Sequence, residues 1–254
     1  TFLNDNAIHL TALSLDGKQL WQQRVSDFKI FQGYAASPAV YGPLVIVSAD
    51  HRGGGTLSGF DRVTGTLVWT QKRPALPNYT SPIVQHVAGQ DQLFILGCNL
   101  ISSYAPLTGK LNWEVEGSTT ESVTSTVSDG QVLVTSGGYP RQHIAVVRGD
   151  GSGNVLWEND TQVYVPSLLI HEEHLYAVTD SGDALCYELE TGKLAWEHRL
   201  RAKFTASPLL VGGHIFAASD DGTTYIYEAN PKGFSQVGEN TVAADEVLAT
   251  PAIC

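Results

Sequence analysis

The sequence has no methionine, only three cysteines and few basic residues. Each scarcity excludes something. Lys and Arg number 15 against 26 Asp and Glu, a formal charge of −11 at pH 7. Binding a phosphate backbone needs clustered cations that displace counterions, so DNA and RNA are excluded as partners held by charge. Cys98, Cys186 and Cys254 form no Cys-x-x-Cys, which excludes a disulfide framework and the usual zinc or redox spacings. No apolar run approaches the roughly 18–20 residues of a membrane-crossing helix. The longest runs, Pro43–Val47 and Leu93–Leu96, have the length of a strand. A translated chain begins with Met, so its absence reads as a segment that has lost its natural start, with no address written at Thr1.

What the chain does have is a hydrophobic fraction of 43%, 25 glycines and five tryptophans. That is enough apolar material for a folded core. The tryptophans Trp21, Trp69, Trp113, Trp157 and Trp196 recur at intervals of 48, 44, 44 and 39. Four residues before each stands a glycine: Gly17, Gly65, Gly109, Gly153 and Gly192. A second mark precedes a short apolar run at Ser37-Pro38, Ser81-Pro82, Ser125-Thr126, Ser207-Pro208 and Thr250-Pro251, with Pro166-Ser167 as a variant. Internal repetition at this period signals a propeller or solenoid.

One unit shows the content of each repeat. From Ser207, Pro208–Val211 is an apolar run, Gly212-Gly213 a turn, His214–Ser219 a strand, Asp220-Asp221-Gly222 a turn and Thr223–Glu228 a strand. The unit from Ser167 adds a turn at Glu190-Thr191-Gly192 and a fourth strand at Leu194–Leu200. Alternation and β-branched residues favour strands, and no segment has a helical period with caps. Four strands per unit predict an all-β propeller of four-stranded blades. Blades start near 37, 81, 125, 167, 207 and 250 in one domain spanning 1–254. Five blades are whole, and partial blades at both ends make the chain a segment of a 6- to 8-bladed propeller. The glycine serves a positive-φ turn, and the tryptophan spans the gap between blades. Trp113→Ala is therefore expected to destabilise the fold without touching a binding site.

The stretches Gly59–Trp69, Ala105–Trp113 and Cys186–Trp196 resemble the tryptophan-docking motif of the quinoprotein-type (PQQ-like) β-propeller repeat. That family's pattern is a small residue, Asp two positions on, then Thr-Gly-Lys and Trp. The resemblance covers essentially the whole chain. It implies a role outside the cytoplasm, in the periplasm, envelope or secreted, and two functional branches. One is the non-enzymatic propeller lipoprotein of outer-membrane β-barrel assembly. The other is the dehydrogenases, which use PQQ and Ca²⁺, an adjacent Cys-Cys pair and a tryptophan stacked in the channel. This chain has no adjacent cysteines, and its five tryptophans all occupy the repeat position. Glu121 and Glu246 remain as carboxylates of the kind a hard cation wants. The chain resembles the assembly branch more closely, so no cofactor is expected and the partner is a protein segment or small ligand.

Several other motifs are better read as turns. His171-Glu172-Glu173-His174 has metal-ligand residues but sits at a hairpin, where zinc's three or four convergent ligands are not supplied. Asp150-Gly151-Ser152-Gly153-Asn154 begins like a calcium loop without its late Glu or flanking helices. Gly53-Gly54-Gly55 lacks the Lys-Ser/Thr of a phosphate loop. No G-x-S-x-G elbow is present. The repeat register itself points to a site. First strands line the channel, so residues just before each mark ring one mouth. These include Tyr34, Asn78, Tyr79, Glu121, Tyr164, Lys203 and Glu246. Tyrosines around a few charges suit a ligand or peptide pocket. A loop at 137–142, longer than its counterparts, adds Tyr139 and Arg141.

Overall fold

A computed structural model of the chain describes residues 1–29, 31–243 and 246–252. Every regular element in it is a β-strand. Blade 1 has three strands, Phe2–Asn4, Ala7–Leu13 and Gln19–Asp27. Blade 2 comprises Ala39–Tyr41, Leu44–Ser48, Gly55–Asp61 and Leu67–Arg73. Blade 3 comprises Ile83–Val87, Gln90–Gly97, Leu100–Tyr104 and Leu111–Glu116. Blade 4 comprises Val127–Ser128, Val132–Gly137, His143–Arg148 and Val155–Asn159. Blade 5 comprises Leu169–His171, His174–Val178, Asp183–Glu188 and Leu194–Arg199. Blade 6 comprises Leu209–Val211, His214–Ala218, Thr223–Glu228 and Gln236–Thr241. Each sheet is an antiparallel meander in chain order. The architecture is an all-β propeller. The first strands of blades 2 to 6 begin two residues after the Ser marks. Thr250–Ala252 carry no strand, and Cys254 lies outside the described residues.

The core lies between blades. Val134, Ile144 and Val146 of blade 4 pack with Leu175, Ala177 and Leu185 of blade 5 in one cluster. Leu57 of blade 2 meets Leu93 and Ile95 of blade 3 in another. A middle strand is thus covered on both faces, which is why Val132–Gly137 is buried at every position. Outer strands alternate, exposed and intermediate by turns along Asn112–Glu116. Stacked repeats bury apolar surface that no single blade can cover by itself.

Each tryptophan reaches from the outer strand of one blade to the last turn of the next. Trp21 donates to the Arg62 carbonyl at 3.2 Å, Trp157 to Leu189 at 2.7 Å and Trp196 to Asn230 at 2.8 Å. The rings of Trp21, Trp69 and Trp157 lie on Gly65, Gly109 and Gly192. Gly192 has φ +70°, and a Cβ there would stand 2.5 Å from the Trp157 ring. Glycine is needed twice over, for the left-handed turn and for the contact. The third seam, between blades 3 and 4, differs from the sequence register: Gly151 lies under Trp113, while Gly153 lies against Val115. The longer turn of blade 4 shifts the contact by two residues. Gly17, in the first blade, meets nothing within 4 Å. In blade 6 the register position opposite Ile226, held by Trp elsewhere, is Gly238. A register shift follows that position in all six sheets, adding the local twist that bulges supply.

The Ser marks also have a bonding role. The Ser37 amide donates to the Ser81 hydroxyl at 2.8 Å, Ser125 to Ser167 at 3.1 Å, Ser167 to Ser207 at 3.0 Å and Ser207 to Thr250 at 3.1 Å. A hydroxyl at the mark therefore ties the start of one inner strand to the next. Residues Ser37–Val40, Ser81–Val84 and Ser125, at the starts of blades 2, 3 and 4, line a common cavity of about 440 Å³.

Candidate functional site

The loops entering blades 3, 4 and 5 are knitted together just above the inner strands. The Tyr79 amide donates to the Ser122 carbonyl at 3.1 Å. The Thr80 hydroxyl donates to the same carbonyl at 3.1 Å. Glu121 forms an isolated antiparallel bridge with Tyr139, its amide 3.4 Å from the Tyr139 carbonyl. Gly138 lies on Tyr164, where a Cβ would stand 2.6 Å from the ring carbon Cγ. Backbone contacts thus gather Tyr79, Glu121, Tyr139 and Tyr164 from three inter-blade loops and the 137–142 loop.

Their polar atoms are not all satisfied. Glu121 is 5% exposed, and its carboxylate has no hydrogen bond or ion pair among the described residues. Burial raises its titration above the ordinary carboxylate value, with Arg52 opposing. The Tyr79 hydroxyl is buried without a partner. Its titration is pushed up to about 12 by burial, then by the Glu121 and Tyr164 charges. Tyr164 is half-buried and raised by burial, then by Glu121, Asp180 and Tyr139. Tyr139 is 54% exposed.

Other residues of the expected ring stand elsewhere or are already engaged. Tyr34 donates its hydroxyl to the Ser48 carbonyl at 3.0 Å and packs edge-on against Phe28. Asn78 is internal: its amide donates to Asp50 at 3.1 Å and to the Leu96 carbonyl at 2.6 Å, and its oxygen accepts from Thr80 and the Ser122 amide. With its bonds spent, it holds the loop and has no group left for a ligand. Lys203 is exposed in a separate cleft of about 590 Å³ with Arg199, Arg201 and Asp220. Glu246 and Arg141 are exposed.

The repeat register missed the support beneath the mouth. Asp50 and Arg73 form an ion pair at 3.0 Å with side chains 1% and 0% exposed. Arg73 also donates to the Ser102 hydroxyl at 3.2 Å, which donates to Glu114 at 2.7 Å. Burial opposes the Arg73 charge, but Asp50 outweighs it and holds the guanidinium above its ordinary value. The buried Cys98 thiol is pushed up to about 12, by burial and then by Asp50. None of these residues falls on a repeat mark. Arg52 was equally unmarked; it lies 3.4 Å above the Phe31 ring centroid.

Two buried histidines are expected to make the fold acid-sensitive. His51 Nδ1 accepts from the Lys29 and Gly53 amides at 3.1 and 3.0 Å. His143 is 2% exposed, with Nε2 3.0 Å from the Gly117 carbonyl. Burial lowers both below the ordinary 6.5. The unfolded chain then binds more protons than the folded one, so stability is full above about pH 6.5 and falls as pH drops below it. Melting temperature should decline between about pH 6.5 and 5, and His143→Gln should flatten the decline. The turn carboxylates of Asp61, Asp150 and Asp221, lowered by hydrogen bonds, are lost only below their ordinary 3.8. A melting temperature flat over the higher window would refute the assignment to histidine.

A family profile described as outer membrane protein assembly factor BamB matches residues 4–161 and, overlapping them, 140–231. The chain belongs to that family. Among solved structures, BamB from Moraxella catarrhalis aligns with a TM-score of 0.74 at 16% identity, covering 96% of this chain and 73% of that one. A europium-containing methanol dehydrogenase aligns at 0.71 and 13% identity, covering 98% and 69%. The quinohemoprotein alcohol dehydrogenase from Comamonas testosteroni aligns at 0.63 and 12% identity, covering 84% and 43%. No curated protein matches the sequence significantly. At these identities the structural likeness is one of fold. BamB and the dehydrogenases share the propeller, so function has to be argued from the residues of the mouth.

Proposed function

We propose that this propeller is a non-catalytic scaffold acting outside the cytoplasm, and that it binds a protein segment or small ligand at the channel mouth. Membership of the BamB family supports the class and the compartment. No helix among the described residues is long and apolar enough to cross a membrane. The observation that carries the binding site is two unpartnered polar groups among the gathered tyrosines: the Glu121 carboxylate, on a residue 5% exposed, and the buried Tyr79 hydroxyl. Buried polar groups are normally hydrogen-bonded, so these two are fitted to receive one.

The residues do not fit the alternative, a quinone over calcium. The tryptophan rings contact the turns of neighbouring blades. Cys98 and Cys186 lie in blades 3 and 5. Among the described residues, no three His, Cys, Asp or Glu side chains converge as metal ligands. Our reading therefore assigns neither PQQ nor Ca²⁺.

Short random peptides displayed on phage should enrich on the wild-type protein and lose binding to a Tyr139→Ala/Tyr164→Ala variant that melts at the same temperature. Peptides that bind both forms equally would remove the mouth from the account. A quinone absorbance band retained through gel filtration, after addition of PQQ with Ca²⁺, would restore the enzyme reading.

A further inference from the structure

The mouth has an unusual electrostatic composition. A single carboxylate, Glu121, is nearly enclosed, and the groups gathered about it are aromatic: Tyr79, Tyr139 and Tyr164. The cation nearest in electrostatic terms, Arg52, forms no ion pair with it among the described residues and is stacked on Phe31 instead. We propose that the mouth selects a cationic side chain, lysine or arginine on a peptide segment, with Glu121 as its counter-charge and the three tyrosines as its walls. This rests on the reading of the mouth as a binding site and names the chemistry of its ligand.

Three physical arguments favour such an occupant. A buried carboxylate with no partner is costly, and a donor that brings positive charge offsets more of that cost than a neutral donor can. Tyrosine faces attract ammonium and guanidinium groups, more strongly when water is excluded. The overall charge of −11 draws cations towards the molecule and repels acidic segments. A bare divalent ion fits less well, because it needs several oxygen ligands and Glu121 is one carboxylate among rings. The charged and titratable groups acting on the site are Arg52, which competes with a cationic ligand, the three tyrosines, and Asp180 beside Tyr164.

The test compares the blocked peptide Gly-Lys-Gly with its uncharged isostere, in which norleucine replaces lysine. Both are titrated into the whole chain and followed by calorimetry and tyrosine ring NMR. The lysine peptide should bind on the order of tenfold more tightly. Glu121→Gln should abolish the preference at an unchanged melting temperature, and Arg52→Ala should strengthen it. Equal binding of the two peptides, or a preference that survives Glu121→Gln, would overturn the proposal. Should Glu121→Gln fail to fold, the wild-type protein still decides. Its preference must fade as pH falls from about 7 to 4 and Glu121 takes up a proton, and a constant preference refutes it. Equal binding that is lost in Tyr139→Ala would sink the cation while leaving the mouth as a site. No binding of either peptide would sink both.

Discussion

Arg73→Met is expected to destabilise the fold by about 3–5 kcal/mol. The methionine replaces the aliphatic stem of Arg73 but removes all three bonds to Asp50, through Nε to both oxygens and through the terminal nitrogen at 3.0 Å. Asp50, 1% exposed, would keep only the Asn78 amide and a long contact from the Cys98 thiol. Its charge would be stranded away from water, and most of the expected loss is the cost of that stranding. It follows that Asp50→Asn, added to Arg73→Met, should recover about 1–3 kcal/mol, since the double variant buries no lone charge. Chemical denaturation of the four proteins reads this coupling. Losses that simply add would show that the pair is not an energetic unit. The network also holds Asn78, so the variant should loosen the loop that carries Tyr79.

Trp157→Ala should cost about 3–5 kcal/mol, lowering the melting temperature by roughly 6–20 °C. The indole covers Gly192, donates to the Leu189 carbonyl at 2.7 Å and lies 5.7 Å from the Tyr187 ring. Truncation opens a void at the seam of blades 4 and 5 that the rigid Gly turn cannot close. Trp157→Phe should lose less, because it keeps the aromatic contact and forfeits one hydrogen bond of about 1 kcal/mol. Trp113→Ala belongs to the same class, but its indole donates to Gln92 of its own blade at 2.9 Å. Its bonding loss falls within blade 3, and its packing loss falls at the seam with Gly151. A melt unchanged within error for either alanine variant would end the idea that these rings hold neighbouring blades together.

The mouth was only partly legible beforehand. Counting back from the Ser marks led to Tyr79, Glu121 and Tyr164, and the longer loop at 137–142 led to Tyr139. The same count also selected Asn78, whose side chain is consumed by Asp50 and Leu96. It selected Lys203 and Glu246 as well, which stand exposed beyond the gathered cluster. Register tells which loop a residue occupies. It does not tell whether that side chain turns inward, because that depends on bonds to other blades.

The sequence by itself determined the fold class, the four-stranded repeat and the positions of the blade marks. These rest on local signals repeated at a fixed period, and each copy reinforces the others: Trp, Gly and Ser marks tied to turns and strand lengths. Only the tertiary structure decided that Gly151 and not Gly153 meets Trp113, that Asp50 and Arg73 pair in the interior, and that Glu121 lies buried among tyrosines without a partner. These are contacts between blades, made once each. Nothing periodic in the chain encodes them, because they arise from where the repeats differ.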